Sequence, residues 1–359
     1  MLLPLSWIYG LIVRLRNFCF DLELLKEQEF SIPIISVGNI TVGGTGKTPH
    51  IEYLIRLLRS EFKIAVLSRG YKRKTKGFIL ADEHSDSGLI GDEPLQIKSK
   101  FPEIVVAVDA NRRNGIKQLL DSDNNIDLIL LDDAFQHRYV KPGFSILLID
   151  FNRPIINDFL LPAGQLREPA SSRKRADIIL ITKSPSDLKA IDRRIIVKDL
   201  NLKNLQYLYF TSVIKDKPVP VFKDNPIKNY SDLIFFDPSI LLIAGIANPS
   251  ELRKFAEEIS INITEKYFPD HHVFTIKDIS DIVSAFNNLP GKEKILITTE
   301  KDASRFQNFP DLPEDLKNSM FYIPISVVFL NEDAENFNKQ IISYVRDNKR
   351  NRFLHSGKN

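Results

Sequence analysis

Between Ile32 and Tyr53 the chain reads IPIISVGNITVGGTGKTPHIEY, and no other stretch restricts the fold as tightly. Ile32, Ile34, Ile35 and Val37 predict a short buried strand, while Ile51, Leu54, Ile55 and Leu58 fall at helical spacing from Thr48 onward. A glycine loop joins the two. Gly43, Gly44 and Gly46, with Thr45 between them, let the backbone turn its N–H groups inward, and with the helix N-terminus they form a concave seat for phosphate oxygens. Lys47 adds a point charge for the terminal phosphates, and Thr48 offers a hydroxyl to a magnesium ion. The stretch is a Walker A loop with one departure. The pattern G-x-x-x-x-G-K-[ST] asks for glycine where Thr41 stands, so Gly38 and the Gly43-Gly44 pair must supply the flexibility.

Downstream, KIAVLS, IVVAV, DLILLDD, SILLID and ADIILIT are continuous apolar runs separated by helical patterns. Such runs predict a parallel sheet covered on both faces, with ligands bound beyond the carboxyl ends of the strands. LILLDD reads as Walker B, ending in Asp132 and Asp133, one of which would hold magnesium directly or through water. Gln136 and His137 follow at the same rim. Asp92 and Glu93 open a helix, where its dipole favours negative charge, and either could take the proton from an attacking hydroxyl. The loop from Phe151 to Arg175, containing LPAGQLREP, is long enough to be expected to serve function.

A second run of SILLIAG, NITEKYF and KILITT with intervening helices predicts a smaller α/β domain. The expected division is a helix over residues 1–29, a core over 30–203, a linker ribbon over 204–230, the smaller domain over 231–347 and a basic tail over 348–359. FPDHH ends a strand of the second domain. Adjacent histidines rarely share one ion, so one of His271 and His272 is expected to orient or relay a proton for a carboxylate. The single cysteine, Cys19, excludes an internal disulfide framework and a cysteine-rich metal site.

The first residues, MLLPLSWIYGLIVRLRNFCF, are apolar as far as Arg14, short of the roughly 20 residues of a spanning helix. A signal peptide would carry its positive charge before the apolar part, not after it. The expectation is a helix in the membrane interface, with Trp7 and Tyr9 at headgroup level and Arg14 and Arg16 near lipid phosphates. A net charge of +3 is too small to argue for nucleic acid. The local basic runs, Ser68 to Lys76 and Arg346 to Lys358, suit an anionic membrane or ligand as well as a solvated surface.

GNITVGGTGKTP, GDEP, VAVDANR, DDAFQH, LPAGQLREP, FPDHH and TTEKDA, in this order, resemble the motifs of the tetraacyldisaccharide 4'-kinase family, the lipid A 4'-kinases of Gram-negative bacteria. The resemblance runs from the N-terminal helix to about Val328. It implies a P-loop NTPase-type α/β fold, ATP and Mg²⁺ as cofactors, and transfer of the γ-phosphate to the 4'-hydroxyl of a tetraacyldisaccharide 1-phosphate. It also implies a peripheral enzyme at the cytoplasmic face of the inner membrane, with no nucleic acid and no obligate protein partner. Residue by residue, it assigns Lys47 and Thr48 to phosphates and metal, Asp132 and Asp133 to the metal side, Asp92 to catalysis and His271 as its partner. Glu93, Arg112, His137, Arg167 and Glu168 match further substrate or transition-state positions. Arg112 or Arg167 would suit the substrate 1-phosphate or transition-state charge through bidentate geometry. Ala134 and Gln165 depart from the family's usual glycine and proline. The competing reading is a membrane-associated GTPase-like switch. It lacks its guanine reader, because Thr182-Lys183 is followed by Ser184-Pro185 where an aspartate is required.

Overall fold

The apolar runs become strands and the amphipathic stretches helices in a computed structural model of the chain. It describes residues 2–122, 125–222, 237–246, 248–270 and 272–356, with only the backbone for 349–356. In chain order, α1 (Leu3–Asp21), β1 (Ile34–Asn39), α2 (Lys47–Leu58), β2 (Ile64–Ser68), β3 (Ile79–Leu80), α3 (Ser87–Ile90) and α4 (Asp92–Lys100) come first. They are followed by β4 (Val105–Val108), α5 (Arg112–Asp121), β5 (Leu128–Asp132), β6 (Phe144–Asp150), β7 (Ile178–Thr182), α6 (Ala190–Leu200) and β8 (Tyr207–Lys215). The remaining elements are β9 (Val219–Pro220), β10 (Ser239–Ala244), α7 (Ser250–Glu257), β11 (Ile263–Tyr267), α8 (Ile276–Asn287), β12 (Lys294–Thr299), α9 (Glu300–Phe306), α10 (Glu314–Asn318), β13 (Met320–Ile323), β14 (Ile325–Phe329) and α11 (Asp333–Ser356).

Two units result, Met1–Ile214 with Val327–Asn359, and Lys215–Ser326. The first is built on a nine-stranded sheet of order β14-β8-β7-β6-β1-β5-β2-β4-β3. From β8 to β4 all neighbours pair in parallel, and β3 lies antiparallel on β4. Alternate residues serve the two faces, as the pleat requires. Ile35, Val37, Val66 and Leu130 pack with Leu54, Ile55 and Leu58 of α2, whereas Ile34, Ala65, Leu67 and Ile129 pack with Ile116 and Leu119 of α5. Because these strands run parallel, Asn39, Ser68, Asp132, Asp150 and Thr182, each the last residue of its strand, share one edge.

The division differs from the expected one in three places. Residues 207–215 are not a linker ribbon: they are β8, paired in parallel with β7. The last helix belongs to the first unit, because Phe337, Ile341 and Val345, one helical turn apart, are buried in the same core as Ile35 and Leu54. The helix also continues to Ser356, through most of the expected tail.

The second unit holds a five-stranded sheet of order β11-β10-β12-β13-β9, parallel except for β9 against β13. TTEKDA caps α9 here. The Asp302 carboxylate is fully buried and accepts from the Gly245 N–H (2.8 Å), the Thr299 hydroxyl (2.8 Å) and Arg305 (2.8 Å), so this motif locks the end of β10 to a helix.

Helix α1 is amphipathic in an inverted sense. Ser6, Gly10, Asn17 and Phe20 face the protein, while Trp7, Ile8, Leu11, Ile12, Leu15 and Phe18 stand exposed. The small buried residues let the helix come close: a Cβ on Gly10 would meet Leu160 Cδ1 at 2.7 Å. The Ser6 hydroxyl donates to the Leu160 carbonyl (2.7 Å), and Arg16 donates to the Gln136 carbonyl (2.7 Å). Tyr9 is not the outward anchor expected of it, because its hydroxyl donates inward to the Arg167 carbonyl (2.8 Å). Among the described residues no helix is long and apolar enough to cross a membrane.

Candidate active site

The glycine loop leaves β1 and enters α2 through Gly46, whose φ of +85° is a left-handed turn that glycine adopts without strain. Thr41, standing where the Walker pattern has glycine, is buried and bridges antiparallel to Leu166 of the LPAGQLREP loop. The Val42 N–H donates to the Gln165 carbonyl (2.8 Å) and the Arg167 N–H to the Ile40 carbonyl (2.7 Å). The front of the phosphate loop is therefore held as a short ribbon, and a β-branched residue suits that conformation better than glycine. The same ribbon brings Arg167 to the mouth of the glycine loop.

At the end of β5, Asp132 is buried and its Oδ2 accepts from the Ser68 hydroxyl at the end of β2 (3.0 Å). Asp133 follows in the left-handed region (φ 48°) and faces two cations, Lys47 Nζ at 3.6 Å and an Arg167 terminal nitrogen at 3.2 Å. Burial, then the neighbouring Asp133 charge, raises the Asp132 pKa above the ordinary carboxylate value. Burial pushes Asp133 the same way, but Lys47 and Arg167 outweigh it and hold its pKa low. Asp132 Oδ1 is buried without a hydrogen-bond partner, and Thr48 stands one residue beyond Lys47 in the first turn of α2. An orphaned carboxylate oxygen beside a phosphate loop and a hydroxyl fits a magnesium ion. No group of three or more His, Cys, Asp or Glu able to hold a metal occurs among the described residues.

Arg112 does not reach the site as a free cation. It is 1% exposed, and its terminal nitrogens donate to the carbonyls of Asp109 (2.7 Å) and Asp132 (3.0 Å), so it braces the Walker B strand end against α5. Burial lowers its pKa to about 10, which keeps it charged at neutral pH. Glu168 is buried as well, with Arg175 at 2.5 Å from Oε2 and Arg16 at 4.0 Å from Oε1. It anchors the loop behind Arg167. His137 is pushed down to about 4 by burial and by the positive charges of Arg112, Arg16, Arg113 and Arg69, so its ring is neutral at physiological pH.

Asp92 and Glu93 occupy the first turn of α4, as expected. The turn before them rests on the segment leaving β2: a Cβ on Gly91 (φ +92°) would meet the Tyr71 carbonyl at 3.0 Å, and one on Gly70 the Ile90 carbonyl at 2.9 Å. These close approaches seat the acids beyond the carboxyl end of β2, the strand whose Ser68 bonds Asp132. His271 lies outside the described residues. His272 has its own partner, with Nε2 3.0 Å from Asp278 Oδ2 and its ring stacked on Phe268, and it secures the capping box of α8.

The parts that Asn39, His50, Asp150, Thr182 and Lys183 play at this edge went unnoticed in the sequence. The Asn39 amide donates to the Thr45 hydroxyl (2.9 Å), Gln136 donates to the Asn39 carbonyl (2.6 Å), and the Thr182 hydroxyl donates to the Thr45 carbonyl (2.9 Å). Lys183 Nζ donates to the Gly44 carbonyl (2.5 Å) and to Asp150 (2.7 Å), and His50 Nδ1 lies 2.7 Å from the Gly46 carbonyl. Asp150 and Thr182-Lys183 are strand-end polar residues after apolar runs, the same signal that reveals Asp132.

The sequence profile of the family described as tetraacyldisaccharide-1-P 4'-kinase matches residues 1–346. A tetraacyldisaccharide 4'-kinase from Phocaeicola vulgatus is 49% identical over 98% of this chain and 96% of its own length. Another, from Flavobacterium psychrophilum, is 47% identical over 98% of both chains. The crystal structure of LpxK from Aquifex aeolicus in complex with ATP superimposes with a TM-score of 0.74 at 27% identity, covering 96% of this chain and 98% of that one.

Proposed function

The chain belongs to the tetraacyldisaccharide-1-P 4'-kinase family, and on that premise we propose how its residues divide the work of phosphoryl transfer. The protein is an ATP-dependent kinase that moves the γ-phosphate of ATP to the 4'-hydroxyl of a tetraacyldisaccharide 1-phosphate, a lipid A precursor. The observation that carries the assignment of residues is the meeting of Lys47, Asp133 and Arg167 at the mouth of the glycine loop, beside the unpartnered Asp132 oxygen.

Phosphoryl transfer is mostly positioning and charge neutralisation. The N–H groups of the loop seat the phosphates, Lys47 leaves Asp133 to neutralise the transferring group, and Arg167 steadies the charge that grows on it. Thr48 with Asp132 and Asp133 would hold Mg²⁺, which when bound neutralises phosphate charge. Asp92 takes the proton of the attacking hydroxyl, and the resemblance assigns His271 to the same step. Arg112 and Glu168 are positioning groups, the first for the Asp132 strand end and the second for the Arg167 loop. His137, held neutral, offers a hydrogen bond at the rim.

The exposed apolar face of α1 supports membrane attachment. Six large apolar side chains on one side of a helix form the kind of patch that soluble surfaces seldom leave bare. Attachment at the cytoplasmic face of the inner membrane would put the rim carrying Arg167 close to a lipid substrate, because α1 contacts that loop through Ser6 and Tyr9.

Single-turnover kinetics test the proton-transfer assignment. Asp92→Ala should slow the chemical step by about 10²–10⁴-fold, the range of general-base loss. His271→Ala should do the same, and the double variant should be no slower than either alone. Near-wild-type turnover in Asp92→Ala would remove that residue from the step.

A further inference from the structure

Three consecutive carbonyl groups of the phosphate loop each accept a hydrogen bond from a side chain behind it. Gly44 accepts from Lys183 (2.5 Å), Thr45 from Thr182 (2.9 Å), and Gly46 from His50 (2.7 Å). In a trans peptide the C=O and the following N–H point in opposite directions. Fixing these three carbonyls outward therefore aims the N–H groups of Thr45, Gly46 and Lys47 the other way, into the cradle where phosphate oxygens bind.

The three tethers are not equivalent. Thr182 and His50 are buried within the fold, and each has a second polar partner there: the Thr182 hydroxyl also faces the Ile149 carbonyl (3.3 Å), and His50 Nε2 lies 3.0 Å from the Thr211 hydroxyl. Gly44 has no such support: a Cβ built on it would meet no atom within 4 Å. Its peptide is oriented by Lys183, whose side chain is 38% exposed and whose ammonium is anchored by Asp150 Oδ2 at 2.7 Å. Asp150 is 4% exposed and is itself fixed, through Oδ1, by the Asn152 N–H (3.0 Å). Lys183 adopts φ 55°, a left-handed conformation uncommon for lysine, and such a departure is retained where the side chain is needed in one place.

We propose that Lys183, anchored by Asp150, is a positioning residue for ATP, holding the Gly44 peptide so that the Thr45 N–H faces the phosphates. The inference rests on reading the glycine loop as the ATP site. It assigns to Lys183 a part in binding nucleotide, separate from the charge that Lys47 supplies to transfer.

Lys183→Met keeps the aliphatic stem and removes the donor at a partly exposed position, so the fold should survive. Titration with a fluorescent ATP analogue and steady-state kinetics read the effect. Loss of a charged hydrogen bond should weaken ATP binding about tenfold or more and raise KM for ATP in proportion, with a much smaller change in kcat at saturating ATP. Lys183→Arg should recover most of the affinity. A merely structural lysine would instead lower the melting temperature without dividing KM from kcat. If Lys183→Met does not fold, Asp150→Asn, which loosens the same amine, should weaken ATP binding about threefold or more. An affinity and KM within about twofold of wild type in a folded Lys183→Met or Asp150→Asn protein overturns the proposal. A wild-type protein that binds no ATP overturns the kinase reading along with it.

Discussion

Lys47 Nζ stands 3.6 Å from Asp133 Oδ1, so the lysine of the phosphate loop rests on the Walker B acid. On the proposed division of roles, a triphosphate arriving in the loop would offer Lys47 a stronger partner and would free Asp133 for the metal side. The charge of Lys47 would then act on the transferring group. Lys47→Ala should lower kcat/KM by at least about 10²–10³-fold, as loss of a preorganised charge does, and Asp133→Ala should be as severe. Initial rates under matched ATP concentrations check both.

Burial and four nearby arginines hold His137 down to about 4 in the fold, whereas an unfolded histidine titrates near about 6.5. Between those values the unfolded chain binds a proton that the folded one refuses, so stability falls as the pH drops from about 6.5 to about 4. His137→Gln should lose less of its melting temperature over that interval than wild type. Equal slopes for the two proteins would show that His137 is not held neutral.

Glu168 is a buried carboxylate held by Arg175, with its second oxygen lacking a hydrogen bond. Removing one partner of a buried pair strands the other charge. Arg175→Ala should therefore destabilise the fold by about 3–5 kcal/mol in denaturant titration, while Glu168→Gln with Arg175 intact should cost less.

Trp7 and Leu11 are 72% and 68% exposed on the outward face of α1. Their replacement by serine removes apolar area from solvent contact and should leave the melting temperature unchanged. Each buried side chain contributes roughly 1.5–3 kcal/mol, so the double variant should bind anionic vesicles at least about tenfold more weakly than wild type. Sedimentation with vesicles measures it, and unchanged binding would dissociate α1 from the membrane.

The sheet, the glycine loop and both Walker aspartates were readable because apolar strands ending in polar residues have few folds open to them. What escaped was decided by tertiary contact. Thr41 looked like a defect in the Walker pattern until its bridge to Leu166 gave the loop a second strand. Arg112 reads as an available cation because no local pattern announces that its terminal nitrogens will be taken by Asp109 and Asp132 carbonyls. The side of α1 facing the protein could be misjudged for a related reason. A helix that buries Ser6, Gly10 and Asn17 and exposes its leucines inverts the usual amphipathic rule, so Tyr9 was assigned outward although its hydroxyl bonds inward. The return of α11 to the first core depended on Phe337, Ile341 and Val345, whose spacing marks a helix face without marking its partner.

On the proposed assignment, the site around Lys47 moves the terminal phosphate of ATP onto the 4'-hydroxyl of an acylated disaccharide. The most direct measurement is mass analysis of a tetraacyldisaccharide 1-phosphate after incubation with the purified protein, magnesium and γ-labelled ATP. One added phosphate carrying the label at the 4'-position is expected, and none with Lys47→Ala. ATP hydrolysis that leaves the lipid unmodified, or label appearing at any other position, would contradict it.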